Sequence, residues 1–534
     1  MNVFANGSIL NLISLGGIFG LCAIAWLFSE NRRFKYFPWR VMIGGIILQL
    51  IIGALVFRVP GSRQVLQVFS DGLNILFAAA DSGANFVFGS NIVPTEGRPA
   101  SVDLGYIFAF RALPTVIFFS GLMSLLYNIG VIQLVTNIFA KLFYSTMRLS
   151  GAESLSGAAN IFVGIEAAIV VKPFLAKMTR SELCAILSCC FGTSASSVLA
   201  IYGSFLSPVF PNILAHLVSA SIIGIPACFV LSKILVPETE VPLTAGGIPA
   251  EMINDASSDD DGPEQTVSGE SIEKVSPLDA AIAGALEGVR MSVGIAAVLI
   301  LILGFVYLIN SIPFINLQVI MGVLFLPFTA LTGVSLEWQE LWTASVLIGR
   351  RLFETAIPSY QMLGQLGQEG LVSDRTILIV SYALSGFAHM ASVGIFVGGT
   401  AALIPSRRKD ISELGWKALF VGTLATLMIS CVAGVFDDGS PGILGVPSEP
   451  AAEEVAPASE EVEEPAPEAE PEAAPETPAD EPPAAPEAVD PNAAPASEDA
   501  FPTPPEATPE ATPEAAPPAS DAAPVPQPEP QPAN

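Results

Sequence analysis

Eight apolar stretches, each long enough to cross a bilayer as a helix, constrain this chain more than any other feature. They run at 8–29, 40–58, 106–130, 182–206, 211–236, 284–312, 374–403 and 414–436. A helix needs about 20 predominantly apolar residues to span the hydrocarbon core. Composition agrees: 51% of the 534 residues are hydrophobic and only 14% are charged, against roughly a quarter charged in ordinary globular chains. The net charge of −28 is local. Residues 437–534 hold 24 acids and no Lys or Arg, and 238–274 hold 10 acids and one Lys. The body is therefore nearly neutral, which excludes an acidic soluble enzyme, and no basic run suggests nucleic-acid binding. The six cysteines all lie in apolar stretches, without disulfide-framework or zinc spacing, and read as small buried residues.

Charge between the spans sets the orientation. Arg32, Arg33 and Lys35 follow the first span, so its loop is expected inside and the N-terminus outside. Counting onward places Lys172, Lys177 and Arg180 inside, with Arg407, Arg408 and Lys409. It also places the acidic loop 237–275 in the cytoplasm and the C-terminal tail outside. The first span lacks a basic segment before it and does not read as a cleaved signal peptide.

Two further apolar stretches must begin and end on one side. Residues 153–178 carry Glu153, Asn160, Gly164 and Glu166; residues 316–366 carry Glu337, Glu340, Arg350, Arg351 and Glu354. Each is expected to be re-entrant, one from each face, because irregular backbone at that depth survives only inside protein or beside a wet cavity. Opposed broken segments are the signature of an inverted-repeat secondary transporter. The expected architecture is an all-α polytopic membrane protein of eight transmembrane helices plus two oppositely oriented re-entrant hairpins. Its regions are N-terminal scaffold spans with an interfacial helix (1–105), a first transport half (106–236), the acidic loop, a second transport half (276–436) and the tail. From 437 to 534 the tail holds 26 of the 44 prolines, in units such as ATPEATPEAAP (507–517). Such a segment is expected to be a disordered, solvated, partly polyproline-like polymer that docks nowhere.

Several blocks in order resemble the concentrative nucleoside transporter family. ALPTVIFFSGLMSLLYNIGV (112–131) resembles the family's third core span, GAESLSGAANIFVG (151–164) its first hairpin and KPFLAKMTRSEL (172–183) the segment after it. SSVLAIYGS (196–204), EGVRMSVGIAAVLILILGFVYLIN (287–310) and SGFAHMASVGIFVGGTAALIPSRRKDISELGWKALFVGTLA (385–425) resemble later spans. The resemblance implies a homotrimer in the plasma (inner) membrane, two opposed hairpins and sodium-driven nucleoside uptake without a further cofactor or covalent chemistry. It also implies a sodium site at Asn160, Val163, Thr193 and Ser194, and a substrate site around Ile165, Glu166, Val198, Glu354, Thr355, Phe387, His389 and Ser392.

The substrate motifs depart from the family. Its Gln-Thr-Glu-Ala-Pro becomes Ile165-Glu166-Ala167-Ala168, one residue shorter; its Asn-Glu-Phe becomes Thr355-Ala356-Ile357; and Phe-Ala-Asn-Phe-Ser-Ser becomes Phe387-Ala388-His389-Met390-Ala391-Ser392. Glu166 can hold a sugar hydroxyl, carry a coupling proton or sit protonated in the bundle. His389 can partly replace an amide toward a base edge, titrate, or simply pack. Glu354 can serve ribose only through a shifted backbone, or else pairs with Arg350 or Arg351. The alternative for Asn160 and Thr193 is interhelical hydrogen bonding, and for Phe387 and Ser392 bundle packing. His216 has no motif around it and reads as structural. The expected function is a sodium-coupled nucleoside symporter. The alternatives are a divergent proton-coupled carrier for another small polar solute and a non-transporting membrane sensor on the same fold. A membrane enzyme finds no nucleophile–base pair or metal cluster to support it.

Overall fold

The computed structural model describes residues 2–58, 62–95, 104, 107–162, 164–245, 264–265, 271–272, 276–312, 316–440 and 443–445, a few of them by backbone alone. These lie in one unit, residues 1–455; a second unit, 456–534, is outside the described residues. The described chain is helical apart from one antiparallel pair, Glu264–Gln265 with Ser271–Ile272. Most of the acidic loop and of the tail lies outside the described residues.

Three helices open the chain: α1 (Asn2–Leu27), α2 (Trp39–Phe57) and α3 (Ser62–Phe88). Two series in the same order follow. The first is α4 (Phe108–Arg111) continued by α5 (Leu113–Asn128), then α6 (Val131–Met147), α7 (Gly151–Ala159), a 3-10 turn Ile165–Val171 with α8 (Lys172–Leu175), α9 (Arg180–Gly192), α10 (Ser196–Leu206) and α11 (Ile213–Leu235). The second is α12 (Pro277–Asn310), α13 (Leu317–Leu331), α14 (Trp338–Glu354), α15 (Ile357–Gln368), α16 (Asp374–Leu384), α17 (Met390–Leu403) and α18 (Arg408–Phe436). Each series has a long helix, a shorter one, a broken pair, a long helix broken midway and a long unbroken helix.

Local chemistry sets the starts of these pieces. Ser150 and Glu153 form a reciprocal capping box at α7, and Thr179 and Glu182 another at α9, each satisfying orphan N–H groups of a first turn. Ser150 Oγ also donates to Glu182 Oε1 at 2.6 Å, which ties the start of α7 to the first turn of α9. In the second series Glu340 Oε1 accepts from Ser373 N and Thr376 Oγ1, both at 2.7 Å, closing the base of α14–α15 onto α16.

The two bases lie at opposite ends of α1 and α18. At one end Arg180 reaches Glu30 at 2.9 Å and Glu413 at 2.5 Å, beyond the C-terminus of α1 and in the first turns of α18. At the other, Arg375 donates to Asn11 Oδ1 at 2.9 Å, to Asp437 at 2.7 Å and to the Gly434 carbonyl at 3.2 Å. A helix with matched polar ties at both ends and an apolar middle has one way to lie in the bundle.

Four expectations change. Six of the eight expected spans contain single helices long and apolar enough to cross a membrane, but 182–206 and 374–403 are each broken, at 193–195 and 385–389. The breaks fall at Thr193-Ser194 and Ser385-Gly386, where hydroxyls compete with the backbone and glycine weakens the helix. The stretch 316–366 resolves into three helices, because Leu317–Leu331 pairs alongside α14 as a separate element. The amphipathic stretch after 130 forms α6, which was not expected. The tail does dock at its start: Ile443 and Leu444 are buried, the Leu444 carbonyl accepts from Asn212 N at 3.1 Å, and Asp437 pairs with Arg375. Two apolar residues suffice where a buried carbonyl and a carboxylate find partners.

Candidate functional site

The middle of the bundle is where both broken pairs and both broken helices end. Asn160 closes α7, and its carbonyl accepts from Thr193 Oγ1 at 3.1 Å, across from the end of α9. Thr193 Oγ1 also donates to the Cys189 carbonyl at 2.8 Å. Ser194 Oγ donates to the Ser385 carbonyl, and Phe387 N donates to the Thr193 carbonyl at 3.2 Å. The two helix breaks thus hydrogen-bond to each other directly. Gly386 makes that approach possible, since a Cβ there would lie 2.6 Å from Thr426 Cγ2 and 2.9 Å from the Phe191 carbonyl.

Oxygen atoms concentrate at this crossing. Asn160 Nδ2 is committed to the Ser156 carbonyl at 3.1 Å, while its Oδ1 is buried with no hydrogen-bond partner among the described residues. An orphaned buried amide oxygen costs on the order of 1–3 kcal/mol unless something else meets it. Carbonyls at the C-terminal end of a broken helix carry partial negative charge. Neutral side-chain oxygens and unwound backbone suit a hard monovalent cation, and the oxygens of Asn160, Thr193 and Ser194 have the chemistry to hold one such as sodium. Val163, the fourth expected ligand, lies outside the described residues.

The expected substrate residues divide. His389, Ser392 and Phe387 come together: Ser392 Oγ is 3.2 Å from a His389 ring nitrogen, and the Phe387 and His389 rings meet edge to face with centroids 6.1 Å apart. Val198 is buried on α10. Glu354 is buried at the end of α14 and paired with Arg350, at 2.7 Å from Nη2, which is the ion-pair alternative read from the sequence. Ile165 and Glu166 stand at the start of the 3-10 turn, their side chains outside the described residues. Thr355 holds φ 69° and ψ 176°, with a buried Oγ1 lacking a partner among the described residues. For a β-branched residue this backbone is strained by roughly 1–3 kcal/mol, and such strain clusters at functional clamps.

Other residues here were weighed too lightly from the sequence. Arg351, from the sequence a charge marking 316–366 and a possible partner of Glu354, is instead 1% exposed and donates to the Ala383 carbonyl and to Thr426 Oγ1. Tyr202 and Tyr360 stack with centroids 4.3 Å apart, and Tyr360 OH donates to the Ser381 carbonyl at 2.6 Å. An arginine within an apolar run was the available signal. His216 is structural, between Tyr382 OH at 2.9 Å and the Ile443 carbonyl at 3.1 Å.

Comparison with known proteins shows the family. Family models described as the N-terminus and C-terminus of a Na+ dependent nucleoside transporter match residues 16–91 and 216–434, and one described as nucleoside recognition matches 109–209. An uncharacterized transporter of Haemophilus influenzae is 34% identical, covering 80% of this chain and 97% of that protein. The nucleoside permease NupC of Helicobacter pylori is 31% identical, covering 80% and 98%. Solute carrier family 28 member 3 of Mus musculus is 32% identical over 80% of this chain, which spans 59% of that longer protein. The solved structure of CNTnw in an inward-facing substrate-bound state superposes with TM-score 0.70 at 35% identity, covering 80% of this chain and 98% of that one. The chain therefore belongs to the concentrative, sodium-dependent nucleoside transporter family, and is an integral membrane transporter of helical fold and not an enzyme.

Proposed function

We propose that this protein is a sodium-coupled symporter that imports nucleosides by alternating access, with its two broken pairs acting as re-entrant hairpins. The observation that carries the reading is the orphaned Asn160 Oδ1 beside Thr193 and Ser194, where both broken helices end. Sodium bound there links the tip of α7 to the break after α9. The same break is tied to the turn bearing Phe387 and His389, so ion and substrate order one region, and each favours binding of the other.

For the substrate, the reading assigns His389 and Ser392 to polar edges of the base or sugar, Phe387 to the base face, and Glu166 to ribose hydroxyls. A carboxylate accepts two hydroxyl hydrogen bonds and matches a vicinal diol. Thr355 adds a hydroxyl at the tip of the second pair. Ile165 and Val198 supply apolar contact.

Topology and assembly follow the same reading. The Glu30 N to Leu235 carbonyl bond and the Arg180–Glu30 pair put the first loop, residue 237 and the base of α7–α8 at one end. With the basic clusters there, that end is taken as cytoplasmic, and the N-terminus and tail lie outside the inner membrane. Large apolar residues of α12, among them Leu286, Val293, Ile300 and Leu308, face outward, which suits lipid or neighbouring copies in a homotrimer.

Uptake of radiolabelled nucleoside into liposomes bearing the purified protein tests this, with an imposed sodium gradient, a proton gradient or neither. Sodium-driven accumulation is expected. Accumulation under the proton gradient alone would favour a proton-coupled carrier, and no accumulation of any nucleoside a membrane sensor.

A further inference from the structure

Arg351 is among the most deeply buried side chains in the protein, and its partners are neutral. The acidic neighbour in the next turn, Glu354, is taken by Arg350. One guanidinium nitrogen of Arg351, Nη1, donates to the Ala383 carbonyl in the last turn of α16 and to Thr426 Oγ1 on α18 at 2.9 Å. Its Nε is buried with no acceptor among the described residues. The stacked Tyr202 and Tyr360 rings, from α10 and α15, and His389 lie within its electrostatic reach. Removing a cation from water without a counter-charge costs several kcal/mol. It persists where fixed dipoles replace the solvent, and a helix C-terminus is such a place.

The two series of elements place this cation in context. Helices α9 and α16 stand at the same point of their series, and both stop midway through the bundle. At the end of α9 there is a hydroxyl, a carbonyl cluster and the unpartnered Asn160 Oδ1. At the end of α16 a guanidinium from the second broken pair already sits on the Ala383 carbonyl and the Thr426 hydroxyl. One break is left to a mobile ion; the other carries its cation covalently.

We propose that Arg351 is a built-in cation that holds the break after α16, doing for the second half what bound sodium does for the first. It thereby acts as a positioning residue for the Ser385–His389 turn that meets the substrate. The inference rests on the sodium reading of the first break and goes beyond it. Because α14 is one arm of the second broken pair, the charge also fixes that arm to α16 and α18 as a rigid group. The consequence is that one sodium, not two, accompanies each substrate.

The test is uptake of radiolabelled uridine by the full chain in liposomes, reading the uridine KM, the maximal rate and the Hill coefficient for sodium. Arg351→Lys keeps the charge and should stay within about twofold of native on all three. Arg351→Met should raise the KM about tenfold, recover in part at high sodium, and lift the Hill coefficient from near 1 toward 2 as a second ion fills the vacated position. Thr426→Val leaves the charge and removes one acceptor, so the KM should rise about threefold with the Hill coefficient unchanged. Native KM and Hill coefficient in Arg351→Met, or a lysine variant no better than the methionine one, would overturn the inference. Should Arg351→Met not assemble, an unchanged KM in Thr426→Val overturns it alone. If native uptake ignores sodium, the coupling reading of the first break fails instead, and the KM arm still decides Arg351 under whichever gradient drives uptake.

Discussion

Thr193 Oγ1 donates to the backbone carbonyl of Asn160 at 3.1 Å, so the broken helix α9–α10 is fastened to the tip of the first broken pair. The contact leaves Asn160 Oδ1 free for an ion while fixing the carbonyls around it. Replacing Asn160 with Ala removes that oxygen; replacing Thr193 with Ala loosens the cluster. Either change should weaken apparent sodium affinity about tenfold or more, the scale of one lost buried polar contact of roughly 1–3 kcal/mol. Sodium titrations of uptake, normalised to protein in the membrane, read this directly. Unaltered half-saturation in both variants would remove Asn160 and Thr193 from the ion site.

His389 pairs with Ser392 and stands edge-on to Phe387. His389→Asn restores the residue its relatives carry by resemblance and should preserve or improve nucleoside uptake. A variant that loses binding in calorimetry would mean that the imidazole has a role of its own.

Thr355 holds φ 69° between α14 and α15. Glycine adopts this conformation without penalty, so Thr355→Gly should raise thermal stability by about 1 kcal/mol, offset in part by the greater freedom of its unfolded chain. If the unpartnered hydroxyl meets substrate, uptake should fall although stability rises. Stability and uptake rising together would make the threonine a purely structural oddity.

Glu30 binds both Arg180 and Lys417 at the end where α1 stops. Partial burial alone would raise its carboxyl, but the hydrogen bonds and charges of Arg180 and Lys417 outweigh this and hold it below the ordinary 4.5. A carboxylate lowered on folding stabilises above its unfolded value and loses that contribution as pH falls through the folded one. Melting temperature should therefore drop on acidification below about pH 4.5, and Glu30→Gln should lower it at neutral pH while shrinking the acid-induced drop. An identical acid profile in the variant would show that other carboxylates set it.

Ile443 and Leu444 are buried, and the Ile443 carbonyl meets His216. A chain ending after Gly445 should assemble and transport within about twofold of the full protein, because polar tails bury little. One ending after Phe436 loses Asp437 from Arg375 as well as both apolar anchors, and should melt lower in size-exclusion thermal-shift assays. Equal stability of the two truncations would count against the docked segment.

The class of this protein was legible in its residues because bilayer length and charge asymmetry are one-dimensional: apolar runs, interrupted by three basic clusters, allow few topologies. The paired broken segments were also visible, since Glu, Asn and Arg inside apolar runs mark backbone that cannot be a lipid-facing helix. Motif order carried the family, and with it the candidate residues Asn160, Thr193, His389 and Ser392. Position in the bundle was a different matter. Hydropathy reads 182–206 and 374–403 as continuous spans; hydroxyls and a glycine weaken the helix at Thr193-Ser194 and Ser385-Gly386, and the breaks are held open where each finds hydrogen bonds on the other. The choice of Arg350 over Arg351 for Glu354 likewise depends on which side of α14 meets α16 and α18. Helix propensity and hydropathy are summed along the chain; the partners of Asn160, Thr193 and Arg351 come from residues far away in it, and only packing brings them within reach.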